Sequence, residues 1–175
     1  MGLERRAATE LRAAGGRKLA GYAAVFNSPA KLGGFTEIIR PGAFTSSLRA
    51  GSDIRALVDH DPTKLLGRTS SGTLRLSEDG RGLAFEIEVP DTQLGNDILT
   101  LAKRGDVNSM SFGFITPPQG DSWPSADRRE LRAVDLQEIS VLHLLPAYSD
   151  TVVQARSREL REAATARRLY VLGLI

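Results

Sequence analysis

The sequence predicts a mainly β protein with two or three short helices, an α+β fold class in which strands dominate. Residues 73–77 and 82–89 alternate apolar and polar side chains on either side of Glu78-Asp79-Gly80, which is the pattern of a β-hairpin. Residues 107–116 alternate again, whereas helical periodicity is confined to short segments. The 175 residues suffice for one domain with a single core.

The other predicted elements follow from composition and breakers. Residues 17–27 are aliphatic and aromatic and end at an Asn-Ser-Pro turn, which predicts a strand. Proline opens and glycine closes a short helix over residues 41–51. Residues 53–59 predict a short buried strand, residues 117–127 a polar, proline-rich loop, and residues 130–145 one long strand or a bent pair.

Two further segments have helical patterns. Residues 91–104 carry an apolar stripe, with Asp91 as the expected N-cap and Gly105 as the stop. Residues 154–170 are rich in alanine, arginine and glutamate, which predicts a terminal helix. That helix either docks against a helix of another protein or a second copy of the chain, or folds back on its own domain.

Charge is distributed unevenly along the chain. Residues 1–18 carry five basic and two acidic side chains, residues 156–175 carry the same numbers, and the stretch between them has a balance of −4. We therefore expect a domain over residues 1–155 with an N-terminal arm over about 1–16, followed by a basic helical tail over 156–175. The middle has no Lys/Arg stripe interleaved with aromatic residues, which disfavours nucleic-acid binding.

Several kinds of site are excluded or disfavoured by composition. The chain has no cysteine, which rules out disulfides, thiolate metal sites and a cysteine nucleophile. Its two histidines, His60 and His143, are far apart in sequence, so no metal site and no cofactor are expected. No apolar run is long enough for a membrane helix and no secretory signal is visible, so we expect no membrane association and a cytoplasmic protein.

His60 is a candidate general base. It follows an apolar run in Val58-Asp59-His60-Asp61-Pro62, and a strand end that feeds a loop can turn a side chain toward a cleft. The alternative is a capped strand-end histidine beside two solvated aspartates. Because Asp59 and Asp61 are immediate neighbours of His60, we do not expect them to hold its ring.

Ser111 is a candidate nucleophile on a predicted strand. Alternation places Met110, Phe112 and Phe114 on a core face and Ser109, Ser111 and Gly113 on the opposite face. Bulky anchors on either side fix the position of Ser111, and Gly113 is expected to leave space for a substrate. The alternative is a small polar face against which another strand packs, and alternation by itself favours neither interpretation.

Glu138 is the candidate third member of the set. A hydroxyl is a weak nucleophile until a base takes its proton, and the base works best when a carboxylate orients it. Glu138 interrupts an apolar strand pattern, so if buried it must be paired or hydrogen-bonded. A structural ion pair with an arginine such as Arg68 is the alternative. Together His60, Ser111 and Glu138 form an acyl-transfer set.

A series of short motifs supports this interpretation. They are Gly21-Tyr22-Ala23-Ala24-Val25-Phe26-Asn27, Ile39-Arg40-Pro41-Gly42-Ala43-Phe44, His60-Asp61-Pro62, Leu66-Gly67-Arg68, Gly82-Leu83, Gly105-Asp106-Val107 with Met110-Ser111-Phe112-Gly113-Phe114, and Glu138-Ile139-Ser140-Val141 with Pro146-Ala147. In this order and spacing the chain resembles the prohead proteases of tailed bacteriophages, which are capsid-maturation serine proteases, over about residues 19–155.

The resemblance implies a fold and a triad. The family is similar to the herpesvirus assemblin proteases, a closed or partly open β-barrel surrounded by helices. Its implied triad of histidine, serine and an acidic residue matches His60, Ser111 and Glu138. The herpesvirus enzymes use a second histidine as third member, but His143 differs from Glu138 in strand parity, and we therefore prefer Glu138. Backbone amides near Gly67-Arg68 or next to Ser111 are candidate oxyanion donors.

The resemblance also implies a role. Such a protease acts inside the immature prohead in the bacterial cytoplasm, where it cuts the scaffold protein or the scaffolding arm of the major capsid protein, and itself. A phage, a prophage or a gene-transfer agent could be the source, and a homodimer is conceivable. The alternative function is a non-enzymatic β-barrel that binds capsid or scaffold proteins without needing the triad.

Overall fold

Strands make up 51% of the residues that the structure describes. The computed structural model describes residues 2–8 and 11–143, which contain two helices, α1 (Thr45–Arg49) and α2 (Gln93–Arg104). The strands of this part of the chain are β1 (Glu4–Ala8), β2 (Leu11–Ala13), β3 (Lys18–Val25), β4 (Ala30–Leu32), β5 (Phe35–Ile39), β6 (Arg55–Val58), β7 (Asp61–Arg68), β8 (Leu74–Glu78), β9 (Gly82–Glu88), β10 (Ser109–Ile115), β11 (Asp121–Ser125), β12 (Arg128–Leu131) and β13 (Asp135–Leu142). The predicted mainly β class is therefore confirmed.

The strands form three sheets. The five-stranded sheet has the order β1-β10-β13-β6-β7, and the two four-stranded sheets have the orders β2-β3-β9-β8 and β11-β12-β5-β4. Most neighbours are antiparallel, but β13 pairs with β6, and β12 with β5, in parallel. Strand β10 thus lies inside the five-stranded sheet, hydrogen-bonded to β1 on one side and to β13 on the other.

The closed form of the expected barrel is wrong for the residues that the structure describes. Closure would require the edge strands of a sheet to pair, and the five-stranded sheet ends instead at β1 and β7. The described residues contain two helices, α1 with five residues and α2 with twelve. Neither helix of the described residues has the length and apolar character needed to span a bilayer.

One apolar core joins the three sheets. Strand β10 contributes Met110, Phe112 and Phe114, each at most 1% exposed, as strand alternation predicts. The Phe112 ring stacks on Phe114 at 5.2 Å between centroids and meets the edge of Phe44 at 5.5 Å. Phe44 comes from the segment that leads into α1, so contacts from outside the sheet hold the core face of β10 in place.

Helix α2 has the predicted end but a different start. Thr92, not Asp91, is the N-cap, and its hydroxyl accepts a hydrogen bond from the amide of Gly95 at 3.2 Å. Threonine and aspartate are both good caps, so composition did not separate them. Gly105 ends the helix in the left-handed conformation, with φ at 83°. Ile98 and Leu99 pack its apolar face into the core.

Three segments differ from their predictions. Within the expected N-terminal arm, residues 4–8 and 11–13 form strands: β1 pairs with β10 and β2 with β3. Part of the predicted loop 117–127 is strand β11. This strand contains one proline, which is tolerated because β11 lies at the edge of its sheet. The segment 130–145 holds the end of β12 and all of β13, which belong to different sheets, so it is not one long strand. The predicted terminal helix and the tail lie outside the described residues.

Candidate active site

Ser111 lies on the face of β10 opposite the core. Its cross-strand neighbours on this face are Ala7 on β1 and Ser140 on β13. Ser111 is 2% exposed, and Ser109, on the same face, is equally buried and donates to Asn108 Oδ1 at 3.1 Å. The alternation is therefore as predicted, although the serine face is itself covered. Ala7 is exposed, so the sheet opens to solvent on the β1 side of Ser111.

His60 lies in a two-residue turn between β6 and β7. Asp59 and His60 both have positive φ, 51° and 61°, as a type I′ hairpin turn requires. Aspartate and histidine are among the few residues with side chains that enter this region readily. As expected, neither neighbouring aspartate holds the His60 ring. Asp61 accepts from Thr63, and Asp59 binds His143 Nδ1 at 2.7 Å.

Glu138 holds the His60 ring. His60 Nδ1 lies 2.6 Å from Glu138 Oε1, and Arg5 Nε donates to the same oxygen at 3.2 Å. Burial favours a raised pKa of the Glu138 carboxyl, but the hydrogen bonds and charges of His60 and Arg5 outweigh it and keep that pKa below its ordinary value. A carboxylate only accepts hydrogen bonds, so Nδ1 carries the proton and Nε2 of a neutral ring is left with its lone pair.

Gly113 makes room for the Glu138 carboxylate. The two residues are cross-strand partners, and a Cβ at position 113 would lie 2.8 Å from Glu138 Cγ and 2.9 Å from Oε1. The expectation that Gly113 leaves space for a substrate is therefore wrong, because the third member of the candidate set fills that space. Because Gly113 has no side chain, the Glu138 side chain can lie against β10. Glu138 is 4% exposed there.

The register places the three candidates on one face. Ser111 pairs with Ser140, and Glu138 is two residues from Ser140 on the same strand, so Ser111 and Glu138 are diagonal neighbours, with about 7–8 Å between such positions. Val58, which precedes the turn, pairs with Val141. Along β13, Ser140 thus lies between Glu138 and the level of the turn that carries His60. In the described part of the chain, the Ser111 hydroxyl makes no hydrogen bond with His60.

The alternatives for Glu138 and His143 take a definite form. Glu138 does pair with an arginine, but the arginine is Arg5 and not Arg68, which pairs with Asp53. His143 is bound by Asp59, which accepts from its backbone amide at 2.9 Å and lies 2.7 Å from its Nδ1. The suggested oxyanion donor Arg68 N instead donates to Thr73 Oγ1 at 3.0 Å, and the amides beside Ser111 lie in a strand paired on both sides.

Strand β1 is anchored by buried charges behind the sheet. Arg6 Nε donates to Glu37 Oε1 at 2.5 Å, and Arg129, 2% exposed, reaches both Glu4 and Glu37. Burial works against the charge of Glu4, but the hydrogen bonds and charges of Arg129 and Arg6 lower the pKa of its carboxyl to about 2. Strand β1 therefore has two roles: Arg5 binds Glu138 on one face, and Glu4 and Arg6 join the buried charge cluster on the other.

Sequence reasoning missed two residues of this region, Arg5 and Ser140. Residues 4–8 read Glu-Arg-Arg-Ala-Ala, with no apolar alternation to indicate a strand. Ser140 belongs to the motif Glu138-Ile139-Ser140-Val141, but nothing in the sequence distinguishes it from the other serines of the chain. Among the described residues, no group of three or more histidine, aspartate or glutamate side chains is arranged to hold a metal.

A comparison with protein families shows which family the chain belongs to. The family model described as caudovirus prohead serine protease matches residues 3–166. The chain belongs to the caudovirus prohead serine protease family. The resemblance drawn from the motifs is thereby confirmed. Comparisons with curated proteins and with solved structures gave no match.

A surface cavity of about 530 Å³ lies away from these residues. Strand β7 forms one wall with residues 65–68, and residues 88–92 form another. Leu65, at 40% the large apolar side chain most exposed among the described residues, lines it. None of the three candidate residues lines it, so the cavity is separate from the candidate set.

Proposed function

We propose that this chain is an active serine endopeptidase in which Ser111 attacks the peptide carbonyl, His60 is the general base and Glu138 orients the base. The observation that carries the proposal is the hydrogen bond of 2.6 Å between His60 Nδ1 and Glu138 Oε1, made on the face of the sheet that carries Ser111. A serine protease family supplies the reaction class.

The proposed steps need one donor–acceptor chain. Ser111 gives its proton to Nε2 of His60 as its Oγ attacks the substrate carbonyl, which forms a tetrahedral intermediate. The imidazolium then donates that proton to the leaving amine, and an acyl-enzyme remains on Ser111. A water molecule then attacks the acyl-enzyme, with His60 again taking the proton, and the carboxylic acid product leaves as Ser111 regains its proton. Throughout, Glu138 stays ionised, which its lowered pKa favours, and stabilises the positive charge on His60.

Access to Ser111 is supported on the β1 side. Ala7 is the cross-strand neighbour of Ser111 and is exposed, so a small side chain borders the nucleophile there. The missing hydrogen bond between Ser111 and His60 is compatible with the proposal, because catalytic hydrogen bonds of free enzymes are often long and tighten when substrate binds.

The substrates are proposed from the family. A prohead protease acts on proteins enclosed with it, so we infer that this chain cleaves the scaffold protein or the scaffolding arm of the major capsid protein during prohead maturation, and that it cleaves itself. Its place would be the inside of the immature prohead in the bacterial host, from a phage, a prophage or a gene-transfer agent. Docking or dimerisation through the tail over 156–175 stays a prediction.

The test is co-expression of each variant with the major capsid protein and scaffold of its own virus, read as cleavage on gels and by mass spectrometry. Ser111→Ala should fold, with an unchanged thermal transition, and cleave nothing. Ser109→Ala is the matched control from the same strand face and should keep most of the activity. A fluorophosphonate should label the wild type on Ser111.

The base and its orienter should differ in severity. His60→Ala removes the base, so cleavage should fall close to the Ser111→Ala level. Glu138→Gln keeps the shape but favours the wrong tautomer, and a loss on the order of 10⁴-fold with residual activity is expected. Normal cleavage by Ser111→Ala would remove our nucleophile, and full activity of Glu138→Gln would require another orienter. A wild type that binds capsid protein but neither cleaves nor labels would favour the binding module.

A further inference from the structure

Ser140 has an unpartnered hydroxyl in the interior of the site. Among the buried side-chain nitrogen and oxygen atoms of the described residues, Ser140 Oγ is the one without a hydrogen-bond partner. The residue is 0% exposed. Leaving a buried hydroxyl unpaired costs free energy comparable to a lost hydrogen bond, and alanine would fill the same position without that cost. The position therefore needs an explanation beyond packing.

The register puts this hydroxyl beside the proposed nucleophile. Ser140 and Ser111 are direct cross-strand partners on the same face, and the Cβ atoms of such partners lie about 4.5–5.5 Å apart. Rotation about χ1 is enough to bring two hydroxyls at this separation into hydrogen-bond contact. Glu138, which binds His60, precedes Ser140 by two residues on the same strand.

Burial limits what the Ser140 hydroxyl can do. With its Oγ enclosed, it cannot meet a substrate carbonyl, so it is not a second nucleophile. A serine hydroxyl has one proton to donate and two lone pairs. If Ser140 donates to Ser111 Oγ, it occupies one lone pair of Ser111 and leaves the Ser111 proton to point at Nε2 of His60.

We propose that Ser140 is a positioning residue that donates a hydrogen bond to Ser111 Oγ in the reacting state and so fixes the rotamer from which Ser111 attacks. The proposal rests on the proposed function, since it assumes Ser111 as nucleophile. The same donor stabilises the negative charge that develops on Ser111 Oγ when its proton moves to His60, and again when the acyl-enzyme bond breaks. Ser140 exchanges no proton and forms no covalent bond.

Two substitutions at position 140 separate this role from packing. Ser140→Ala removes the donor, and Ser140→Cys restores the volume with a weak donor. For hydrolysis of a short peptide that spans a cleavage site, kcat of Ser140→Ala should fall about tenfold to a hundredfold, with KM within about twofold. Ser140→Cys should recover little of the loss. The rate of fluorophosphonate labelling at Ser111 should fall in parallel with kcat.

Stability distinguishes a positioning role from a structural one. Removal of an unpaired buried hydroxyl should leave the melting temperature of Ser140→Ala unchanged or higher, whereas Ser47→Ala, which removes the hydroxyl that accepts from the Leu136 amide at 2.8 Å, should lower it. Ser109→Ala is the control for activity on the same face.

The possible failures are distinguishable. Wild-type kcat in Ser140→Ala, full recovery in Ser140→Cys, or a loss of kcat that follows a lowered melting temperature would each overturn the positioning role while Ser111 labelling still supports the protease. Labelling that maps to Ser140 would overturn both the role and our choice of nucleophile. A wild type with neither hydrolysis nor labelling would overturn the proposed function itself.

Discussion

Replacing Gly113 with alanine would put a methyl group where the Glu138 carboxylate lies. The new Cβ would be 2.8 Å from Glu138 Cγ and 2.9 Å from Oε1. Carbon atoms pack best at about 3.5–4.0 Å, so the Glu138 side chain must move by roughly 0.7–1.2 Å. The backbone of β10 cannot give way easily, since it is paired with a strand on both sides.

This displacement acts on the bond that orients the base. The distance from His60 Nδ1 to Glu138 Oε1 is 2.6 Å, which leaves no slack for such a shift. Losing a hydrogen bond to a charged group removes about 1.5–3 kcal/mol, which corresponds to a decrease in kcat of roughly tenfold to a hundredfold. Overpacking should also lower the free energy of unfolding by about 1–3 kcal/mol.

The assay is steady-state hydrolysis of a short cleavage-site peptide, together with a thermal melt of Gly113→Ala. Gly80→Ala is the matched control, because a Cβ at Gly80 meets nothing within 4 Å and its φ is not in the left-handed region. We expect normal kcat in Gly80→Ala. Undiminished kcat in Gly113→Ala would refute the idea that this glycine exists to seat the carboxylate.

Two further predictions concern strand β1. Arg5→Gln removes one of the charges that lower the pKa of Glu138, so that pKa, followed by carboxyl ¹³C NMR, should rise. Because Arg5 is partly exposed, kcat should fall by no more than about fivefold, and an unmoved Glu138 titration would contradict this. Glu4 has a pKa lowered from 4.5 to about 2, so its contribution of about 3 kcal/mol to the free energy of unfolding is present above pH 4.5 and lost as the pH falls toward 2. Urea unfolding should therefore show Glu4→Gln destabilised at neutral pH and converging on the wild type in acid. A constant difference between the two proteins would contradict the assignment.

Local patterns were enough to predict the elements that bury one face. Met110, Phe112 and Phe114 alternate and are buried as predicted, and Gly105 ends α2 where only a residue tolerant of positive φ fits. The pairing of His60 with Glu138 was predicted from chemistry, since a general base works best when a carboxylate orients it, whereas burial of the carboxylate by itself is equally met by an arginine.

The features that the sequence did not predict depend on pairing between residues far apart in the chain. Arg5 contacts Glu138 across 133 residues of sequence, and no property of residues 4–8 announces that they form a strand. The use of Gly113 was misjudged because it depends on which residue lies opposite on β13, and that register follows from the whole sheet. The barrel came from the resemblance and not from a local pattern.

Strand β10 receives its neighbours from opposite ends of the described chain, β1 from residues 4–8 and β13 from residues 135–142. During synthesis the segment that carries Ser111 therefore emerges before its carboxylate partner does. Until β13 has left the ribosome, the His60 ring has no Glu138 to bind and the sheet is incomplete. Contacts this distant in sequence also slow folding, since a long loop must close first. Sheet topology alone thus delays assembly of the candidate triad until nearly all of the described chain has been made.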